Sequence, residues 1–452
     1  MRSIGRAVAA LAGAVALAVA GEAGAAEPGP EEEPGLRGTV EEQRKRIEDL
    51  ERRLRDLEGR PAGEGSIEEA VDRYLERRRA AALADGDRSD SYLMGLVERP
   101  SNPEFDFGGY ATVLYRSPDD RDSIPAFEGY RVVPQFAFRV SDGIELATEI
   151  EFEGGGAGLS YLTGNYIVVE FLEIRFDVDE AFVPKTGILL IPFLRYNLYH
   201  DDPIWNLQDR PFTATRAFRA TFQQPGVGVE GVLPFGQGHS FNYNLALTNG
   251  PDDQVDNTGF SNARQSFRSD NNHDKAVWGR LGLTPRLSFV DAADFGLSGA
   301  TGELDADGRV RMVGWGVDGK VSKDRFDLIF EYCAFDYDRP ASQPVGTFPR
   351  GQQSGFVQVD THLVRGLPKT RKGITGPKSE LVLATRYEWC DTNDRVTGAA
   401  IQDDSTALVV GLALRFTPKT VLRLERRNER TRFDTVGAED KGMWVLSLST
   451  YF

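Results

Sequence analysis

From Phe105 to the C-terminus, apolar and polar positions alternate with a period of two. In 444–452, Trp444, Leu446, Leu448, Thr450 and Phe452 share one face, and Val445, Ser447, Ser449 and Tyr451 the other. Leu408, Val410, Leu412, Leu414 and Phe416 alternate in the same way with Val409, Gly411, Ala413 and Arg415. Ile144, Leu146, Thr148, Ile150 and Phe152 alternate with Glu145, Ala147, Glu149, Glu151 and Glu153. Period two marks strands whose two faces meet different surroundings. A soluble sandwich alternates too, with its apolar face turned onto a core. Here strand after strand pairs an apolar face with one of Glu, Arg, Asn, Ser and Gly. That suits a sheet closed around water with its apolar side in lipid.

The pattern predicts strands at 105–115, 128–140, 144–153, 166–177, 186–194, 224–233, 240–249, 274–286, 293–303, 309–321, 326–336, 355–366, 379–390, 405–417, 420–433 and 441–452. Short connections such as 141–143, 234–239, 322–325 and 418–419 alternate with longer ones such as 154–165, 195–223, 250–273, 337–354 and 391–404. The short turn 304–308, on the long side, is the weak place in that parity. The expected fold is all-β: a 16-stranded antiparallel transmembrane β-barrel over 105–452, preceded by a short N-terminal α-helical coiled coil. Counts of 14 or 18 strands also fit. Aromatics near strand ends (Tyr115, Tyr130, Tyr332, Trp389, Trp444, Phe452) are expected at the two membrane interfaces.

The first hundred residues read differently. Arg2 and Arg6 precede a 14-residue apolar run at 7–20, and Ala23-Gly24-Ala25 has the form of a cleavage site. Residues 1–25 therefore read as an export signal. Residues 26–38, rich in Pro, Glu and Gly, read as a flexible linker. In 39–58 Val40, Ile47 and Leu54 recur every seven residues, with Leu50 and Leu57 in the offset register. These are core positions of a short coiled coil, within a helical segment predicted over 39–100. The alternative is a solvated helix packed on its own neighbour. The expected location is the outer membrane, with the N-terminal segment in the periplasm.

Composition narrows the function. Among 452 residues, 69 are acidic and 53 basic, a net charge of −16, so nucleic acid is not an expected partner. After residue 20 no run is apolar enough to cross a bilayer as a helix. Two cysteines, Cys333 and Cys390, fall on strands two apart, which places them beyond disulfide reach. Four histidines (His200, His239, His273, His362) show no metal-ligand spacing, so no metal site is expected. Gly226-x-Gly228-x-x-Gly231 lacks the strand-before, helix-after setting of a dinucleotide site and reads as glycines in a curved strand. Asp305-x-Asp307-Gly308 reads as a turn, because no Glu ligand follows where a calcium loop needs it. No catalytic constellation and no cofactor site is evident, and no enzyme is expected.

Sixteen strands leave an aqueous lumen. By the alternation, Arg139, Arg280, Lys320, Arg386, Arg415 and Arg423 point inward as candidate pore-lining or solute-binding groups. Glu145, Glu149, Glu151, Glu173, Glu331, Glu388 and Glu425 share that face. Opposed acidic and basic rows would set a transverse field. The longest connection, 195–223, carries Arg195, Tyr196, His200, Asp201, Asp202, Trp205, Asp209 and Arg210, and is placed either to fold into the lumen as a constriction or to pack on the outer loops.

The chain resembles the phosphate-selective porin O and P family. The resemblance rests on Phe138-Arg139 with 144–152, Ile191-Pro192-Phe193, Gly226-Val227-Gly228-Val229, Tyr243–Gly250, Asp270–Lys275 with Gly279-Arg280, and a C-terminal Phe452 similar to the terminal aromatic read by the barrel-assembly machinery. It implies a homotrimer of 16-stranded barrels in outer-membrane lipid, passing small anions. The stretch 187–191 departs from the family in having no Gln or Lys. From residue 105 onward 37 basic residues face 47 acidic ones. The expected function is therefore passive diffusion of small hydrophilic solutes or ions, with an anion or phosphate preference as its finer form. The alternative is a structural tether joining the barrel to peptidoglycan through the coiled coil.

Overall fold

Each alternating segment pairs with its neighbours in the sequence. The computed structural model describes residues 105–452 apart from 121–122, 155–165, 237, 257–258, 261, 264–266, 268, 271, 340–348, 395–401 and 434–436. The export signal, linker and coiled coil expected within 1–100 lie outside the described residues. The strands are β1 (Phe105–Pro118), β2 (Ala126–Ser141), β3 (Ile144–Glu153), β4 (Tyr166–Phe176), β5 (Val183–Leu190), β6 (Gln223–Phe235), β7 (His239–Thr248), β8 (Ala276–Thr284), β9 (Ala292–Glu303), β10 (Arg311–Lys323), β11 (Phe326–Tyr337), β12 (Gly351–Arg365), β13 (Glu380–Asp394), β14 (Gln402–Thr417), β15 (Thr420–Phe433) and β16 (Gly437–Tyr451). Each pairs antiparallel with the next, and β1 pairs β16 from Tyr110↔Tyr451 to Pro118↔Met443. The sheet is a closed barrel of sixteen strands, as the alternation predicts. Closure leaves no unpaired sheet edge.

Most strand ends shift by a few residues from the expected bounds, and one shift matters for the lumen. β5 ends at Leu190, not 194. Pro192 has no N–H to give a ladder, and Leu194 has a positive φ of 60°, so 191–194 turns off the wall. The connection 366–379, on the short-turn side, is longer than the connection 304–310 on the other. Loop length is thus a weaker guide to sidedness than the strand pattern.

The outward face is an apolar belt. Leu412 lies opposite Leu424, and Leu424 opposite Leu446, and each is more than two-fifths exposed. At the short-turn end, Phe105, Phe107, Phe136, Phe138 and Phe452 form an aromatic cluster, with Phe105–Phe138 ring centres 4.8 Å apart and Phe107–Phe452 5.9 Å apart. Towards the long-connection end, Trp315, Tyr332, Trp389 and Tyr387 form a second, with neighbouring centres 5.2 to 6.5 Å apart. Aromatic clusters at the two ends of an aliphatic belt fit the two interfaces of a bilayer.

The inward face is less uniformly wet than the sequence implies. Phe193, Phe218 and Phe222 of the 191–222 connection pack with Phe260, Trp278, Phe335 and Tyr337 into a dry core. Gly259 makes that packing possible: its φ is +64°, and a Cβ there would meet the Arg216 carbonyl oxygen at 1.8 Å. Gly226 and Gly231 of the glycine-rich stretch lie in β6 against neighbouring backbone, where a Cβ would meet the Leu247 and Ala181 oxygens at 2.3 and 2.1 Å. Asp305 accepts hydrogen bonds from the Arg309 and Val310 N–H groups, closing a turn. Cys333 and Cys390 are free and buried, and Ser354 of β12 pairs with both, between them.

Two outcomes follow. Leu424→Arg, in the belt, should lower the folding free energy in lipid vesicles by about 2–4 kcal/mol; equal urea titrations for the variant and the parent would contradict the belt. Both thiols should react with a maleimide only after unfolding, and dimer-free, disulfide-free migration should persist without reductant.

Candidate functional site: a segment across the lumen

The connection 191–222 runs inside the barrel. Its two ends are tied together first. Ile191 N–H donates to the Phe222 carbonyl at 3.0 Å. Asn197 donates to the Ile191 and Phe222 carbonyls (2.8 and 3.1 Å) and accepts from Phe222 N–H at 2.7 Å. A helical turn (Arg195–Leu198), a 3-10 turn (Asp202–Ile204) and a π-turn (Thr213–Ala217) follow one another. None is long enough to satisfy its own backbone, so the buried N–H and C=O groups need outside partners.

The wall supplies them by charge type. Carboxylates take the N–H groups. Glu331 accepts from Tyr196 N–H (2.5 Å), Glu425 from Gln208 and Asp209 N–H (3.2 and 2.9 Å), and Glu388 from Phe212 N–H (2.6 Å). Guanidinium groups take the carbonyls. Arg423 donates to Trp205 O at 2.9 Å and to Asp202 O. Arg415 donates to Pro203 O and Ile204 O (2.9 and 2.8 Å), and Arg386 to Asp209 O (2.6 Å). Hydrogen bonds with one charged partner are the stronger kind.

The residues expected in the constriction all lie in this segment. Arg195 pairs with Asp294, and its guanidinium sits 4.7 Å over the Tyr199 ring. Tyr196 stacks on Trp205 with centres 4.4 Å apart. Asp202 lies 3.2 Å from Arg131. Burial would raise the Asp202 carboxyl, but Arg131, with Arg210 behind it, holds it below the usual range. Asp209 pairs with Arg427 at 3.0 Å. Arg210 donates to the Ala220 carbonyl at 3.2 Å. His200 and Asp201 face Glu149 and Glu170.

The six basic residues expected to line the pore divide. Arg386, Arg415 and Arg423 hold the segment. Arg280 is buried in a two-pronged pair with Asp318. Lys320 pairs with Asp327 at 2.9 Å. Arg139 keeps the inward register beside buried Gln135 and Ala137, but lies exposed at the end of β2, opposite Glu145. Arg280, Lys320, Arg386, Arg415 and Arg423 thus have protein partners. Arg131, Lys185 (paired with Glu230 at 2.9 Å), Asp318 and Glu170 were not anticipated. Arg131 and Lys185 could have been found from strand phase; Glu170 could not. The β3–β4 register passes from Glu149↔Phe171 to Ile150↔Val169, a bulge that leaves Glu170 extra. Glu170 and Phe171 are consecutive and both fully buried. Bulges re-aim side chains in this way.

No family model matches the chain. It is 24% identical over 368 residues to an uncharacterized protein of Aquifex aeolicus, covering 76% of this chain and 79% of that one. Its fold is similar to that of the outer membrane channel DcaP of Acinetobacter baumannii, with a TM-score of 0.50 and 10% identity, covering 77% of this chain and 97% of that one. OmpF of Salmonella typhi, solved in complex with daunomycin, matches with a TM-score of 0.48 and 14% identity over 77% of this chain and 97% of that one. The DcaP match supports the closed β-barrel fold.

Arg423→Met should release the segment. Each carbonyl left bare costs about 1–3 kcal/mol, so the unfolding midpoint in urea should fall, and proteolysis within 199–211 of the folded barrel should quicken. Arg430→Met, on the exposed outer side, should change neither.

Proposed function

We propose that the protein is an outer-membrane porin that lets small hydrophilic solutes and ions diffuse passively through the part of the lumen that the 191–222 segment leaves open. One observation carries this reading: a closed sixteen-stranded barrel, apolar outside and charged inside, crossed by a segment anchored to its wall. Sixteen strands enclose more space than side chains alone fill. The reading includes assembly through Phe452, whose half-exposed ring lies in the short-turn aromatic cluster, and association into homotrimers.

Selectivity should be weak. The buried guanidiniums answer to carboxylates and backbone carbonyls, and the region from 105 onward carries an excess of ten acidic over basic residues. A phosphate-selective channel needs cationic donors free for the anion. The resemblance to the phosphate-selective porins therefore extends, in this proposal, to architecture and not to solute choice.

Planar-bilayer recording on the purified full chain tests both parts. Discrete conductance steps are expected, with a reversal potential in a tenfold potassium chloride gradient well below the ~59 mV of a perfectly selective pore for a singly charged ion. Phosphate should not block chloride current. Absence of steps would favour the tether reading; strong block by phosphate would restore the anion-selective one.

A further inference from the structure

Where the 191–222 segment meets β3 and β4, three carboxylates and one imidazole converge. His200 Nε2 lies 3.4 Å from Glu170 Oε2, 3.9 Å from Glu149 Oε1 and 3.9 Å from Asp201 Oδ1. Glu149, Glu170 and His200 are at most 1% exposed, and Asp201 is 8% exposed. Among the described residues, no Lys or Arg lies within ion-pair distance of any of the three carboxylates.

The outer oxygens are held and the inner ones are not. Gln135 donates to Glu149 Oε2 (3.2 Å) and to Asp201 Oδ2 (3.3 Å). Tyr451 donates to Asp201 Oδ2 (2.9 Å) and Thr221 to Glu170 Oε1 (2.9 Å). Each carboxylate thus has one oxygen fixed by a neutral donor and the other turned towards His200. Glu149 Oε1 is buried without a hydrogen-bond partner, which is costly in a group of this charge. His200 Nδ1 lies 3.0 Å from the Asn197 carbonyl oxygen. A carbonyl only accepts, so Nδ1 bears a proton, and Nε2, the nitrogen left for a metal, faces the oxygens. Fixing one ring nitrogen on a carbonyl is how proteins orient a ligating histidine.

We propose that Glu149, Glu170 and His200, with Asp201 beside them, bind one first-row divalent cation that clamps the 191–222 segment to β3 and β4. Bonds of ~2.0–2.1 Å in a tetrahedral site put ligand atoms ~3.3–3.4 Å apart; here His200 Nε2 lies 3.4 and 3.9 Å from the two glutamate oxygens, and the three ligand atoms lie within 4.8 Å of one another. Imidazole with carboxylates suits zinc, manganese, iron or cobalt better than magnesium. The other paired histidine makes a useful contrast. His362 lies 2.6 Å from Glu380 and 3.7 Å from Asp327, but Lys320 already neutralises Asp327 at 2.9 Å. Two protons shared among the carboxylates are the competing way to quiet the His200 cluster, and metal analysis separates the two.

Full-length protein in detergent, stripped with chelator and reloaded with zinc or cobalt(II), should retain one ion per chain through gel filtration. The cobalt form should show the visible bands of a nitrogen–oxygen tetrahedral site. Glu170→Gln and His200→Gln, checked for folding by heat-modifiable migration, should each bind at least tenfold more weakly. His362→Gln should bind as the parent does. A parent protein that retains well under one ion per chain, or a folded His200→Gln protein that binds equally, overturns the proposal. The parent's stoichiometry and cobalt spectrum decide the matter should the variants fail to fold.

Discussion

A stretch of irregular backbone placed inside a barrel must find a partner for every buried N–H and C=O, because neither the barrel wall's own ladder nor a continuous helix will supply one. That requirement organises this lumen. The wall faces 191–222 with acids where the backbone presents N–H groups and with arginines where it presents carbonyls: Glu331, Glu388 and Glu425 on one account, Arg386, Arg415 and Arg423 on the other. The same rows could serve as a field across open water, but a buried ion whose hydrogen bonds go to fixed backbone is of little use to a passing solute. Its desolvation is compensated only while the segment stays in place.

The dry half of the lumen follows from the same constraint. On the β8–β11 side the segment presents Phe193, Phe218 and Phe222, and the wall answers with Trp278, Phe335 and Tyr337. Apolar burial there and charge-assisted hydrogen bonds opposite hold the segment from two sides by two kinds of force. Hydrophobic contact supplies non-directional stabilisation, while the ion-backed hydrogen bonds fix register. A segment held by only one of these would be free to slide or to lift.

The barrel itself was legible because its cause is local. A strand between lipid and lumen must alternate, and Trp444–Phe452, 408–416 and 144–153 do so without interruption. What the alternation cannot carry is the identity of the neighbour on the inner side. Arg423 on an inward phase reads the same whether it meets water, solute or the Trp205 carbonyl. The end of β5 was misplaced for a related reason: Ile191, Phe193 and Leu194 are apolar enough to continue a strand, and only Pro192 tells against it. Glu170 was invisible because a one-residue bulge inverts the phase on which the whole reading depends.

The bulge also explains why the expectation of no metal site, drawn from histidine spacing, does not bear on the Glu149–Glu170–His200 grouping. Spacing detects ligands carried by one element, such as two residues a helical turn apart. Here the ligating groups come from a regular strand, a bulged strand and a lumenal segment, spread from Glu149 to His200, and they meet only after the barrel closes and 191–222 folds inward. Gln135, Thr221 and Tyr451, which hold the outer oxygens, come from β2, the end of that segment and the last strand. Tyr451 reaches Asp201 only because β16 has closed on β1, so the geometry of the cluster is complete only in the finished barrel.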